Sequence, residues 1–136
     1  MISSFIKDLC QWAYKEFAIE AIVLVGSFAR GTQKIDSDID LIILTSDKQS
    51  YVENPIVFSV LGEIDEINIE TYGECTSVRV WYKSGLNVEF GIVSLKWVDI
   101  PLDEGTQQVL SGGYKILVDK TDLFAPIKTI IPDLAV

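Results

Sequence analysis

A glycine-serine pair followed, ten residues later, by Asp-x-Asp is the part of this chain best suited to chemistry. The stretch reads Val25-Gly26-Ser27-Phe28-Ala29-Arg30-Gly31-Thr32 and resumes as Ser37-Asp38-Ile39-Asp40-Leu41. Gly-Ser at the end of an apolar run lets the backbone turn tightly and present N–H groups and a hydroxyl to an anion, an arrangement that suits phosphate. Asp38 and Asp40, two apart on a strand, leave the same face with Cα atoms about 6.5 Å apart, given a rise of about 3.3 Å per residue. In a partly dry site two such charges repel by about 3 kcal/mol at about 6 Å and an effective dielectric near ~20, and each raises the other's pKa. Divalent cations relieve this conflict. Mg²⁺ in particular takes carboxylate oxygens together with substrate phosphates and keeps several waters.

Glu89 is the candidate for a third carboxylate, because it interrupts the apolar run Leu86 to Val93. A single Glu in a strand usually marks a solvent face; here the Gly-Ser turn and the aspartate pair favour a metal site. Arg30 either neutralises a phosphate or pairs with one of the many acids. Thr32 and Ser37 read as turn and capping residues. Lys96 and Trp97 follow the Glu89 strand, where a solvated Lys and a core Trp are the simpler fates than contacts to a base or phosphate. Trp12, Trp81, Tyr82 and Phe90 read as packing residues. Asp47, Glu63, Asp65, Glu66, Glu70 and Glu74 read as a solvated acidic surface, since no calcium-loop spacing appears among them.

The composition narrows the chemistry further. The chain has 136 residues, no histidine, 11 basic and 20 acidic residues, and a net charge of −9. Without histidine, the Ser-His-Asp and Cys-His arrangements and the usual neutral-pH proton shuttle are excluded. Catalysis is left to carboxylates, hydroxyls, Lys, Arg or metal. The acidic balance opposes extended nucleic-acid binding and docking on anionic lipid. Cys10 and Cys75 have no metal or disulfide spacing and read as two reduced thiols. No apolar run reaches the length of a membrane span, and Lys7 and Asp8 break any signal-peptide pattern. The expected location is therefore cytoplasmic.

Elements must hold these residues in place. Phe5, Ile6, Leu9, Trp12, Ala13 and Phe17 recur at spacings of three and four, predicting an amphipathic helix over residues 3–17 capped by Ser3 or Ser4. Ala21 to Val25 predicts a strand covered on both faces, and Asp38 to Leu44 a second, joined by a short helical link. Asp47 to Val52 suggests a helical turn, and Ile56 to Leu61 either a strand or a short buried helix. Ser77 to Tyr82 and Leu86 to Val93 flank Lys83-Ser84-Gly85 as a hairpin. A short helix over 104–110, a strand over 114–118 and a terminal helix over 123–131 interrupted by Pro126 complete the chain. With 49% apolar residues, length and pattern predict one compact α/β (α+β) domain, a mixed sheet flanked by helices, over residues 1–136 with a catalytic core about 20–95.

The segment from Gly26-Ser27 through Asp38-x-Asp40, with an apolar-Glu-apolar strand beyond it, resembles the polymerase-beta-type nucleotidyltransferase superfamily, and the chain length is similar to its minimal members. Arg30, Gly31, Thr32 and Ser37 also resemble the common form of this segment. The resemblance covers residues 22–44 and reaches Glu89. Beyond Leu95 it is a loose similarity to aminoglycoside-adenylyltransferase-like relatives. It implies a two-metal transfer of a nucleoside monophosphate, AMP by expectation, from NTP to a hydroxyl. Asp38, Asp40 and Glu89 would hold two Mg²⁺ ions (or Mn²⁺ in their place), Glu89 would accept the acceptor's proton, and Gly26 and Ser27, with Arg30, would bind the triphosphate of ATP. Glu89 departs from the Asp that many relatives carry there. The implied partners are a nucleotide and an acceptor that is a small molecule or a protein. A second implication is an antitoxin-like protein that binds or adenylylates a helical ribonuclease, for which an acidic chain suits a basic partner.

Overall fold

The computed structural model describes residues 2–134. The chain opens with helix α1 (Ile2–Lys15), which buries Phe5, Leu9 and Ala13 at i, i+4, i+8 spacing. It starts before Ser3, so Ser3 and Ser4 lie in its first turn instead of capping it. It also ends before Phe17, which is 95% exposed and not part of its apolar face. Strand β1 (Ile19–Val25) runs into a one-turn helix α2 (Gly26–Arg30), and β2 (Ile39–Thr45) returns beside β1. Both strands are buried along almost their whole length, as their unbroken β-branched runs predict.

The middle of the chain departs most from the sequence pattern. Asp47 caps α3 (Lys48–Glu53), its side chain accepting from the Ser50 backbone N–H and hydroxyl. The ambiguous run after Pro55 is a 3₁₀ helix, Pro55–Leu61, which buries Phe58 completely. The acidic stretch that reads as solvated surface forms a nine-residue edge strand, β3 (Ile64–Tyr72), whose side chains are nearly all exposed. It pairs with β4 (Cys75–Tyr82), which forms the expected hairpin with β5 (Asn87–Val93). A 3₁₀ turn at Leu95–Val98, α4 (Glu104–Ser111), β6 (Lys115–Asp119) and α5 (Ala125–Ile130) follow. Pro126 sits in the first turn of α5, where its missing N–H costs nothing.

The six strands form one mixed sheet in the order β3-β4-β5-β2-β1-β6, with β2 and β5 parallel and every other pair antiparallel. One face is covered over most of its width, up to the exposed edge strand β3. Ile22, Leu41, Ile43, Val78, Val88 and Phe90 pack there against α1, Tyr51 and Phe58. The Phe58 and Phe90 rings stack with centroids 4.0 Å apart. Trp12 meets Tyr51 and Phe58 edge-on, and Tyr82 donates to the Phe58 carbonyl, so all read as packing residues. The opposite face is covered only in part, where Ala21, Val23, Ile42 and Leu44 meet Val98, Leu110, Tyr114, Phe124 and Ile127. On that face β3 and β4 project the exposed Asn68, Glu70 and Tyr72 and the half-buried Arg79 and Trp81. This half-open face carries the polar row described next.

Candidate functional site

Strand register places the site. Val25 lies opposite Asp40, Asp40 opposite Glu89, Glu89 opposite Arg79, and Arg79 opposite Asn68. Residues directly opposite in a ladder share a face, so one row across five strands brings Asp40, Glu89 and Arg79 side by side. Asp38, immediately before β2, joins them by the two-residue period. The three carboxylates each offer an oxygen within 4.8 Å of the others. The three carboxylates singled out in the sequence thus lie together on one side of the sheet.

Gly26 shapes the other wall. It begins α2 with φ +72°, and a Cβ placed there would collide with Oδ2 of Asp40. Both the backbone angle and the close approach demand glycine. Ser27 follows in the same turn, and its carbonyl accepts from the N–H groups of Gly31 and Thr32. Gly31, in the left-handed conformation, ends the helix. The Ser37 hydroxyl accepts from the Lys34 N–H at 2.7 Å, which fits its reading as a turn residue. Arg30 pairs with no acid among the described contacts. It donates to the Gly112 carbonyl at 3.2 Å and lines the same cavity as Asp40 and Glu89.

That cavity has a volume of about 610 Å³, within the usual range for small-molecule sites. Gly26, Asp40 and Glu89 line it together with Trp97 and Thr106, so Trp97 borders the site and is only half-buried, unlike the core residue its sequence context suggests. Lys96 is exposed, as expected.

The residue that sequence reasoning missed is Arg79. Its Nη1 donates to Asp38 Oδ2 at 2.6 Å and its Nη2 to Glu89 Oε2 at 2.5 Å, so one guanidinium spans two of the three carboxylates. An alternating strand with one arginine reads as a solvent face. Two opposite charges flanking a tight turn at matched distance were the available signal.

Asp40 carries the remaining charge conflict. Burial pushes its carboxyl up to about 6, the charges of Glu89 and Asp38 add to this, and Arg79 and Arg30 oppose it. Three oxygen donors without nitrogen or sulfur, clustered and short of positive charge, fit a hard divalent cation such as Mg²⁺.

A family model described as "Nucleotidyltransferase domain" matches residues 2–90. No curated protein matches the sequence. Among solved structures, the chain is similar to an aminoglycoside 6-adenyltransferase from Bacillus subtilis, with a TM-score of 0.53 and 12% identity over 68% of this chain and 36% of that one. It is also similar to Cid1 in complex with the UTP analog UMPNPP (TM-score 0.46, 17% identity, 65% and 30% covered) and to a CCA-adding enzyme (TM-score 0.46, 15% identity, 80% and 23% covered). The chain thus spans about a third or less of the length of these structures. The likeness to the adenyltransferase is one of fold: a small α+β domain built on a mixed sheet. Among the described residues no helix is long and apolar enough to cross a membrane.

Proposed function

The chain belongs to the nucleotidyltransferase domain family, and from that premise we propose that it transfers a nucleoside monophosphate, AMP, from ATP to a hydroxyl acceptor. The single observation that carries this reading is the meeting of the Asp38, Asp40 and Glu89 carboxylates beside the Gly26-Ser27 turn. In this reading residues 1–136 act as one nucleotidyltransferase domain with its catalytic core in residues 20–95.

Asp38, Asp40 and Glu89 are the residues that would hold two divalent ions. When bound, such ions offset the triphosphate's charge and stabilise the entering and leaving oxygens of an in-line displacement. The protein's own groups do the rest. Gly26 and Ser27 orient the triphosphate through the backbone N–H groups of their turn, and Arg30 at the cavity wall adds a positive charge. Glu89, whose carboxylate faces the same cavity, takes the acceptor hydroxyl's proton. The oxygen so freed attacks the α-phosphorus, and pyrophosphate leaves. Trp97 and the α4 wall limit what fits beside the nucleotide.

A screen of hydroxyl-bearing acceptors with ATP and Mg²⁺, scored by pyrophosphate release, tests the proposal. The expected result is release that depends on metal and acceptor and disappears in Asp40→Asn. Release that persists in Asp40→Asn contradicts it.

A further inference from the structure

Arg79 binds the atoms that a divalent cation needs. Its two terminal nitrogens reach Asp38 Oδ2 and Glu89 Oε2, one carboxylate from the segment before β2 and the other from β5. The guanidinium is planar and permanently charged, with a fork that matches carboxylate oxygens, so this is a specific pairing and not a diffuse one. Both carboxylates are about two-thirds shielded from solvent, which keeps the pairing from being screened as a surface ion pair is. The residue sits in a strand, tied by the ladder to Glu89 on one side and Asn68 on the other. Its backbone is therefore fixed, while its long side chain can swing. The Trp81 ring, 5.8 Å from the guanidinium carbon, offers a face on which the charge can rest.

We infer that Arg79 is a stand-in cation: it holds Asp38 and Glu89 while the site lacks metal, and a triphosphate draws it off those oxygens to become a phosphate contact as the ions enter. This rests on the nucleotidyltransferase reading above. A guanidinium and a divalent ion on the same carboxylates repel each other, so metal alone must work against Arg79. A triphosphate supplies the alternative acceptor oxygens, which arginine binds as readily as carboxylate. Metal and nucleotide therefore bind cooperatively, each raising the other's affinity by the same factor. Arg79 also keeps three like charges together in the folded protein before substrate arrives.

Mn²⁺ binding to the full chain, read as loss of the free-ion electron paramagnetic resonance signal, tests this with and without a non-hydrolysable ATP analogue, the Mn²⁺ taken up by the analogue alone being measured in parallel and subtracted. In the wild type, Mn²⁺ alone should bind weakly and the analogue should tighten it about tenfold or more, within the range of ordinary coupling. In Arg79→Gln, Mn²⁺ alone should bind about tenfold tighter, and the analogue should tighten it by correspondingly less than in the wild type. Arg79→Gln that binds Mn²⁺ no tighter than wild type overturns the inference and leaves the nucleotidyltransferase reading intact. If near-ultraviolet circular dichroism shows Arg79→Gln misfolded, Arg79→Lys serves instead. It keeps the charge but cannot span both carboxylates, so it should bind Mn²⁺ at intermediate strength, and unchanged affinity overturns the inference. Absence of Mn²⁺ binding in every form, with or without the analogue, overturns the metal reading itself and this inference with it.

Discussion

A methyl group on Gly26 would overlap the carboxylate of Asp40. The turn and the metal-ligand candidate are thus parts of one packed unit: the Asp40 carboxylate can lie this close to the turn only because Gly26 has no side chain.

Gly26→Ala should therefore cost both stability and function. Alanine at φ +72° is strained by about 1–3 kcal/mol, and the added Cβ displaces the Asp40 carboxylate. Urea denaturation should show that loss, and nucleotide binding should fall with it. Wild-type nucleotide affinity in Gly26→Ala would separate the turn from the site.

Asp40 should leave a mark on the pH dependence of stability. Its carboxyl is raised from 3.8 in the unfolded chain to about 6 in the native state, chiefly by burial. Between those values the folded protein holds a proton that the unfolded chain has lost. This group's contribution to stability is therefore fully present below about pH 4 and is lost as the pH rises through about 6. Without metal, Asp40→Asn should be more stable than wild type at pH 7, and the difference should shrink toward pH 4. Denaturation curves at both pH values check the sign. Metal binding requires the ionised form, so Mn²⁺ affinity should weaken below about pH 6.

Glu89→Gln separates binding from chemistry. Removing the proton acceptor should lower kcat by about 100-fold or more while ATP affinity changes only a few-fold. Single-turnover transfer beside equilibrium nucleotide binding measures both. Near-normal transfer would return Glu89 to the role of a polar strand residue paired with Arg79.

Phe58→Ala tests the fold's support of the site. Phe58 is fully buried, stacks on Phe90 and receives the Trp12 edge. Its truncation should cost about 3–5 kcal/mol in chemical denaturation. Phe90 immediately follows Glu89 and points to the opposite face, so the loss should come from the core, with metal affinity retained in the molecules that remain folded.

Much of the site could be read from the chain because its signals are local. Gly26, Asp38 and Asp40 lie within fifteen residues on a strand-turn-strand unit whose apolar runs leave little choice of pairing. Glu89 stood out by interrupting an apolar strand, and the hairpin around Lys83-Ser84-Gly85 declared itself by its turn residues. Strand β3 did not. Asp65, Glu66, Asn68 and Glu70 are poor strand formers, and a register shift between Ile64 and Glu66 breaks the alternation that would have revealed the strand. The run of residues 56–61 was ambiguous because a short apolar segment fits a buried strand and a tight helix equally well. Arg79 was hidden for a different reason: its meaning lies in two carboxylates contributed by β5 and by the segment before β2, and only the register of three strands brings them together.

Equilibrium binding of labelled ATP with Mn²⁺ or Mg²⁺, compared between wild type and the double variant Asp38→Ala/Asp40→Ala, tests the central claim most directly. The account predicts saturable, metal-dependent binding in the wild type that the double variant loses while staying folded. Binding that ignores metal and is unchanged in the double variant would contradict it.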